Sequence, residues 1–455
     1  MLVVVSDLHL GDGTCAKTVS ADAFRIFRDR LQLLAQTASV RDDGSYRPIE
    51  EVELLLLGDI FEVIHSTLWL SQREGDPGYA RPWSDPNGAQ LPAKLGEITR
   101  AILDNNAEAL AILRLLASGE AITLPQADSR GNQVLNAEPL PVKVKISFIV
   151  GNHDWFYHLP GEAYDRIRQQ IIEAMGLVNG SEPFPHDPRD SEYVMRLFDQ
   201  YRIFARHVDY YDKFNYNREK GRNFAALGDA LAVELLNRFP LEVEQRMGDS
   251  LPKAFYKELH EITNTRPSVA APLWISGQLR QFGGDPAEQA QVKAIWDELA
   301  DEFLNLEFVR SFDREWNPFD SVDGLEMVLK FARRVSFESI NKAILRMQKK
   351  MWSDDLSFSK HAMREPFFTS RRADYIVYGH THYHETVPLD RYQVAGEDVF
   401  QFLVNSGTWR SYHDLTRYHP EQQKFIPFQL MTYLAFYKDD ERRGRRYEAW
   451  TGRLV

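Results

Sequence analysis

Apolar runs that stop abruptly at a glycine or an ionisable residue recur along this chain. Residues 2–5 form a short β-branched run that ends at Ser6-Asp7. Residues 52–57 end at Gly58-Asp59, 144–150 at Gly151-Asn152, 375–378 at Gly379-His380, and 400–404 at Asn405-Ser406-Gly407. Short continuous apolar runs bounded by such breaks predict strands buried on both faces. Between them the period changes. Phe24, Phe27, Leu31 and Leu34 share one helical face over 21–35, and 161–175 reads as a second helix. A Pro-, Gly- and Asp-rich loop at 74–90 leads into one long helical pattern over 91–118. The tail predicts antiparallel strands at 429–437 and 446–450 around a charged turn.

Strands alternating with helices give an α/β class. In open α/β sheets, ligands collect outside the carboxyl ends of the strands, so these strands deliver their polar residues to one rim. Residues 217–345 break the rhythm with helical patterns at 227–238, 251–262, 287–308 and 324–351. The expected organisation is one catalytic domain from 1–216 and 346–455. It carries a helical insertion at 217–345, a cap or a subunit contact that allows a homo-oligomer. A smaller loop-helix insertion is expected at 64–141.

Composition narrows the class. Of 455 residues, 44% are hydrophobic and 26% charged, which is ordinary for a globular protein and argues against global disorder. One cysteine, Cys15, excludes an internal disulfide. A net charge of −12 repels polyphosphate at long range, and acidic residues outnumber basic ones in the insertion. Both facts weigh against nucleic acid as a partner without excluding it. No apolar run is long enough for a transmembrane helix, and the start lacks signal-peptide features. The expected location is cytoplasmic, or at most peripheral to a membrane.

The chemistry-bearing residues sit at the strand ends. Asp7-Leu8-His9 places a carboxylate and an imidazole on one side of an extended backbone. Gly58-Asp59 follows a fully apolar strand, where an Asp is either a helix N-cap or a functional carboxylate. Gly151-Asn152-His153-Asp154 combines a neutral oxygen ligand with an imidazole that titrates near working pH. Gly379-His380-Thr381-His382 again offers two nitrogens to one side, and imidazole is the common nitrogen ligand of transition metals. Each motif alone reads as polar loop or helix cap; four of them at strand ends in one chain point to a metal centre.

In this order the motifs resemble the calcineurin-like metallophosphoesterase family, whose pattern is D-x-H, G-D, G-N-H-D/E, a lone His, and G-H-x-H. The resemblance rests on about a dozen residues between Asp7 and His382 and does not cover the insertions. The lone histidine is best matched by His207, with Val208 where the family commonly has glycine; His186, in a Pro-rich loop, is the runner-up. The resemblance implies a four-layer α/β/β/α sandwich with a large helical insertion. It implies two divalent metal ions: Asp7, His9 and His382 on one, Asn152, His207 and His380 on the other, and Asp59 bridging. It implies His153 as general acid or electrophile, and Asp154 orienting it through its carboxylate or through backbone geometry.

Two divalent cations against the carboxylates of Asp7 and Asp59 leave a cationic centre, which draws an anionic phosphate although the chain is acidic. Mixed nitrogen and oxygen ligands favour Mn, Fe, Co or Zn over Mg and Ca. The expected activity is hydrolysis of a phosphate ester or anhydride by metal-activated hydroxide. Its substrate would be a phosphorylated small molecule. Alternatively, Gly58-Asp59-Ile60-Phe61-Glu62 and Asn405-Ser406-Gly407-Thr408-Trp409 look like motifs of nucleotide-sugar-lipid pyrophosphohydrolases, which would make the substrate lipid-linked. A DNA nuclease and a non-catalytic scaffold are the remaining readings. Arg410 and Arg372 are candidate phosphate contacts or salt-bridge residues. His384 is a candidate supporting residue, and Cys15 a small buried side chain.

Overall fold

A computed structural model describes residues 1–266, 270–312, 356–416, 418, 422 and 424–454. The helix expected over 324–351 and His419 lie outside the described residues. The chain starts with β1 (Leu2–Val5), α1 (Ala21–Ala38) and β2 (Glu51–Leu57). Helices α2 (Gln90–Asn105) and α3 (Ala107–Ser118) follow. Two small hairpins then pair β3 (Thr123–Leu124) with β6 (Leu140–Pro141), and β4 (Gln126–Ala127) with β5 (Gln133–Val134). Next come β7 (Lys143–Ile149), α4 (Glu162–Met175), α5 (Glu192–Tyr201) and β8 (Ile203–Arg206). The described part of the insertion ends its first half at β9 (Thr265–Arg266). The last strands are β10 (Tyr375–Tyr378), β11 (His384–Val394), β12 (Glu397–Ser406), β13 (Tyr412–Leu415), β14 (Phe425–Phe428), β15 (Leu430–Phe436) and β16 (Tyr447–Arg453).

The first sheet has the order β16-β15-β1-β2-β7, with β1, β2 and β7 parallel and β15 antiparallel to β1. Alternate residues of these β-branched and leucine-rich strands enter two different cores. Val3, Val5, Leu54, Leu56, Ile146 and Phe148 pack with α1, α2, α3 and α4. Leu2, Val4, Leu55, Leu57 and Ile149 face the second sheet instead, and share a core with Ile203, Ala205, Val377 and Leu403. That second sheet runs β11-β12-β10-β8, with β10 parallel to both β8 and β12. Phe204 on its far face meets Phe198 of α5 and stacks on Phe367 at 4.6 Å. Two sheets therefore face each other and carry helices on their outer sides.

Two expectations change. The single helix over 91–118 is two helices, because the backbone leaves helical geometry at Asn106 (φ −113°, ψ 19°), whose side chain donates to the Gly11 (2.8 Å) and Ile102 (2.7 Å) carbonyls. The strand expected at 400–404 lengthens to Glu397–Ser406, because it forms a hairpin with β11 through Ala395 and Gly396, both at positive φ. Within residues 64–141, Leu95, Ile98, Ile102, Leu110 and Leu113 contribute to the main core.

The described part of 217–345 is helical and has its own core, including Leu235, Phe239, Phe255, Trp274, Trp296 and Leu299. Its first helix runs from Leu227 to Met247 through a π-helical stretch, Ala232–Asn237. Asn237 closes that stretch and bonds back to the main body: Nδ2 donates to Ile64 O (2.9 Å), and Oδ1 lies 2.7 Å from His65 Nδ1. A buried Arg81–Glu234 pair lies on the same seam. Among the described residues, no helix is long and apolar enough to cross a membrane.

Candidate metal centre

The carboxyl ends of β1, β2, β7, β8 and β10 meet at one rim. The loop after β1 stays paired with the loop after β2, since His9 N donates to Asp59 O (2.9 Å) and Leu10 N to Ile60 O (2.9 Å). The segment Asn405–Trp409 staples the two sheets. Ser406 Oγ reaches Ser6 Oγ (2.6 Å) and the Tyr378 carbonyl (3.0 Å), Thr408 Oγ1 donates to Asp7 O (2.6 Å), and Asn405 Nδ2 to Gly379 O (3.2 Å). The glycines of the motifs leave room for their neighbours. A Cβ on Gly58 would fall 2.8 Å from His207 Cβ, and one on Gly151 would fall 2.7 Å from His207 Cδ2.

The chain turns sharply where it presents the site. Asp7, His9, Asp59, His380 and His382 have φ of 54°, 49°, 53°, 67° and 66°, and Val208 has 79°. Left-handed backbone is uncommon outside glycine and an outlier for a β-branched residue such as Val208. Such strain concentrates at functional sites.

All seven residues expected as ligands gather here. Asp7, His9, Asp59 and His382 form one group, and Asp59, His207 and His380 a second, with ligand atoms within 4.8 Å of one another. Asp59 belongs to both. Asn152 joins the second group, with Oδ1 2.9 Å from His380 Nδ1 and 3.2 Å from His207 Nε2.

The imidazole protons are engaged on the outer side of each ring. His207 Nδ1–H donates to Leu57 O (3.0 Å), His380 Nε2–H to Asp212 Oδ2 (3.1 Å), and His9 Nδ1–H to Glu62 Oε2 (2.8 Å). The opposite nitrogens then present lone pairs to the interior, where Asn152 Oδ1 and Asp59 Oδ2 are also acceptors. His207 Nε2 lies 3.1 Å from Asp59 Oδ2. Acceptors facing one another at these separations need a proton or a cation between them. Asp7 Oδ1 is buried 3.3 Å from His382 Nε2 and has no hydrogen-bond partner. This donor set fits divalent cations: imidazoles, two carboxylates and one amide oxygen, several rings held by a second hydrogen bond on their outer nitrogen.

The electrostatics agree. Burial, joined by Arg410, holds His9 well below the ordinary imidazole range; burial, joined by Arg266, does the same for His382, so both are neutral. Burial alone would lower His207, but Asp59 and Asp7 outweigh it and lift the ring to about 10. The carboxylates thus demand positive charge at the point where the second group converges. Burial would raise Asp59, yet His207 and His153 hold it well below the usual carboxylate range.

His153 lies beside both groups. Its backbone N–H donates to Asp59 Oδ1 (2.8 Å) and its Nδ1 lies 2.6 Å from Glu62 Oε1. The carboxylate that orients it is therefore Glu62, not Asp154. Asp154 instead accepts from Ile60 N (2.7 Å), Phe61 N (3.2 Å) and Gly151 N (2.7 Å), tying the loops after β2 and β7 together. It positions His153 through the backbone alone.

Glu62 is the centre of a network that sequence reasoning missed. Its second oxygen serves His9 and the buried Arg410, which also bonds Asn264 of the insertion. Arg410 is therefore an internal ion-pair partner and not a free phosphate contact. Arg372 pairs with Asp199 (2.6 Å) at the surface, away from the site. His186 bonds Asp209 (2.9 Å) and stacks on Tyr216, which leaves His207 as the lone histidine. His384 bonds the Asn405 carbonyl (2.8 Å). The Cys15 thiol is pushed up by burial and is no nucleophile. Asp212, which holds His380, follows the short 3₁₀ turn Asp209–Tyr211 after β8 and carried no motif. No protein-family model and no curated protein matches the chain.

Proposed function

We propose that this chain is a dinuclear-metal-dependent hydrolase of phosphate esters or anhydrides. The observation that carries the reading is Asp59: one carboxylate shared by two convergent donor groups, whose imidazole N–H groups point outward to Glu62, Leu57 O and Asp212. Asp7, His9, Asp59 and His382 would hold one ion, and Asp59, Asn152, His207 and His380 the other. A pair of bound divalent cations supplies Lewis acidity toward phosphoryl oxygens and lowers the pKa of water toward about 7. The mixed nitrogen and oxygen set favours Mn, Fe, Co or Zn. Two facing sheets with outer helices support the four-layer sandwich of the metallophosphoesterases.

The remaining chemistry belongs to the chain. His153 is 18% exposed at its side chain, so a substrate can reach it. Glu62 fixes its Nδ1, which leaves Nε2 to hold the transferable proton. Burial lowers this imidazole, but Glu62 and Asp59 raise it more, so the net shift is upward and favours the protonated form. An imidazolium here protonates the departing alkoxide. The two segments that resemble lipid pyrophosphohydrolases have structural work in this fold. Asn405–Trp409 staples the sheets, and Phe61 is core. The reading therefore fixes the bond class, and the phosphorylated substrate is a small molecule or a lipid-linked pyrophosphate.

Purified protein supplied with Mn²⁺ should hydrolyse bis-p-nitrophenyl phosphate or p-nitrophenyl phosphate, and a chelator should stop it. Absence of turnover with each of Mn²⁺, Fe²⁺, Co²⁺ and Zn²⁺ would overturn the proposal.

A further inference from the structure

We propose that Arg266 is an oxyanion-binding residue of this site, placed by the helical insertion to take a non-reacting phosphate oxygen of the substrate; the inference rests on the hydrolase reading above and deepens it.

The position of Arg266 is built. It sits on β9, which pairs in parallel with β13 through Thr265↔His413 and Arg266↔Asp414. The turn before it is fastened to the main body, since Arg410 bonds Asn264 and Glu261 Oε1 accepts from Lys17 N (3.3 Å). One end of the guanidinium is fixed by its own turn: Nη1 donates to Thr263 O (3.2 Å) and Thr265 O (3.1 Å). The other end, Nη2, lies 3.4 Å from Nδ1 of His382, a residue of the first donor group. The fork therefore stands at the edge of the centre.

Its charge is offset only at a distance, by Glu62 and Asp7 of the centre. The buried arginines of this fold each face a carboxylate: Arg41 faces Asp440, Arg81 Glu234, Arg168 Asp165, Arg206 Glu365, Arg222 Asp209, and Arg410 Glu62, whereas Arg266 is half-buried. Among the described residues, no carboxylate pairs with Arg266. A half-buried guanidinium without a carboxylate partner keeps N–H groups for an anion that enters the site. A planar fork with free N–H groups matches phosphate geometry. Arg266 lies in the segment outside the family pattern, so it is a feature of this chain's own insertion.

The test uses the full chain as wild type, R266A and R266K, each loaded with Mn²⁺. Metal content is measured, along with kcat and KM for bis-p-nitrophenyl phosphate, the inhibition constant of inorganic phosphate, and phosphate binding by calorimetry. We expect R266A to keep its metal, to weaken phosphate about tenfold or more, and to raise KM more than it lowers kcat. R266K should fall between, because it keeps the charge and loses the fork. An unchanged phosphate affinity overturns the inference. So does loss of metal in step with loss of phosphate binding, which would show Arg266 acting only on His382. If the wild type turns over nothing, the hydrolase reading falls by itself. Calorimetry then decides Arg266 alone: weaker phosphate binding by R266A supports it, and equal or no binding by the wild type overturns it.

Discussion

His9 Nε2 and His382 Nε2 face each other at 3.1 Å, although they lie 373 positions apart in the chain. The His9 ring gives its proton to Glu62, so its inner nitrogen is a lone pair. A cation at this meeting point ties the first strand end to the loop after β10. Chelation is therefore expected to lower Tm, and added metal to restore it in a concentration-dependent way. At a thousandfold excess over Kd the ion adds about 4 kcal/mol. A Tm indifferent to both treatments, read by calorimetry, would count against the site.

Asp59 joins the two donor groups, so its loss should be felt in both. D59N is expected to reduce bound metal well below two ions per chain and to cut turnover about 100-fold or more. Metal analysis on the same sample that is assayed checks that the two fall together.

His153 and Glu62 separate chemistry from support. H153A should retain metal and lose about 10²–10⁴ in kcat, the usual contribution of a positioned acid. Loss of metal as well would refute its role as acid. E62Q removes the charge that faces His9, His153 and Arg410. It should weaken metal binding and kcat about 10- to 100-fold. It should also destabilise the fold by about 3 kcal/mol, since Arg410 stays buried unpaired. Replacing Arg410 with Met in the E62Q background should recover part of that stability, which a double-mutant cycle reads directly.

Asp229 gives a pH signature apart from the centre. It caps its helix by accepting from Ala226 N (2.8 Å), and burial raises its carboxyl from 3.8 to about 6. The folded state thus binds the proton more tightly than the unfolded chain. The penalty of ionising Asp229 is absent below about pH 4, grows through pH 4–6, and is fully present above, at about 3 kcal/mol. Asn keeps an acceptor for Ala226 without the charge. D229N should melt higher than wild type at pH 8, with the gap closing as pH falls toward 4.

The strands and the ligand histidines were legible because they are local signals: an apolar run, a glycine, then a metal-type residue. His207 was legible only through family order, and its neighbour Val208 adopts the left-handed turn without glycine. Glu62, Asp212 and Arg266 were not legible as site residues. Each acts on a partner far along the chain or outside any short motif, through a hydrogen bond that only the packed sheets create. The break at Asn106 was hidden for a related reason: periodicity continues across it while its side chain is drawn to Gly11, far away in sequence. Of the two routes expected for Asp154 toward His153, the structure shows the backbone one, since its carboxylate holds the backbone N–H groups of Gly151, Ile60 and Phe61.

Five of the presenting residues are held in left-handed backbone, at a steric cost of about 1–2 kcal/mol each. On the proposed reading, a bound ion would hold that tension at the rim of the sheets. Starved of divalent metal, the rim should slacken before the sheets do. Its amides would exchange with solvent while those of β1, β2 and β7 stay protected, so that metal supply governs the lifetime of the finished edge.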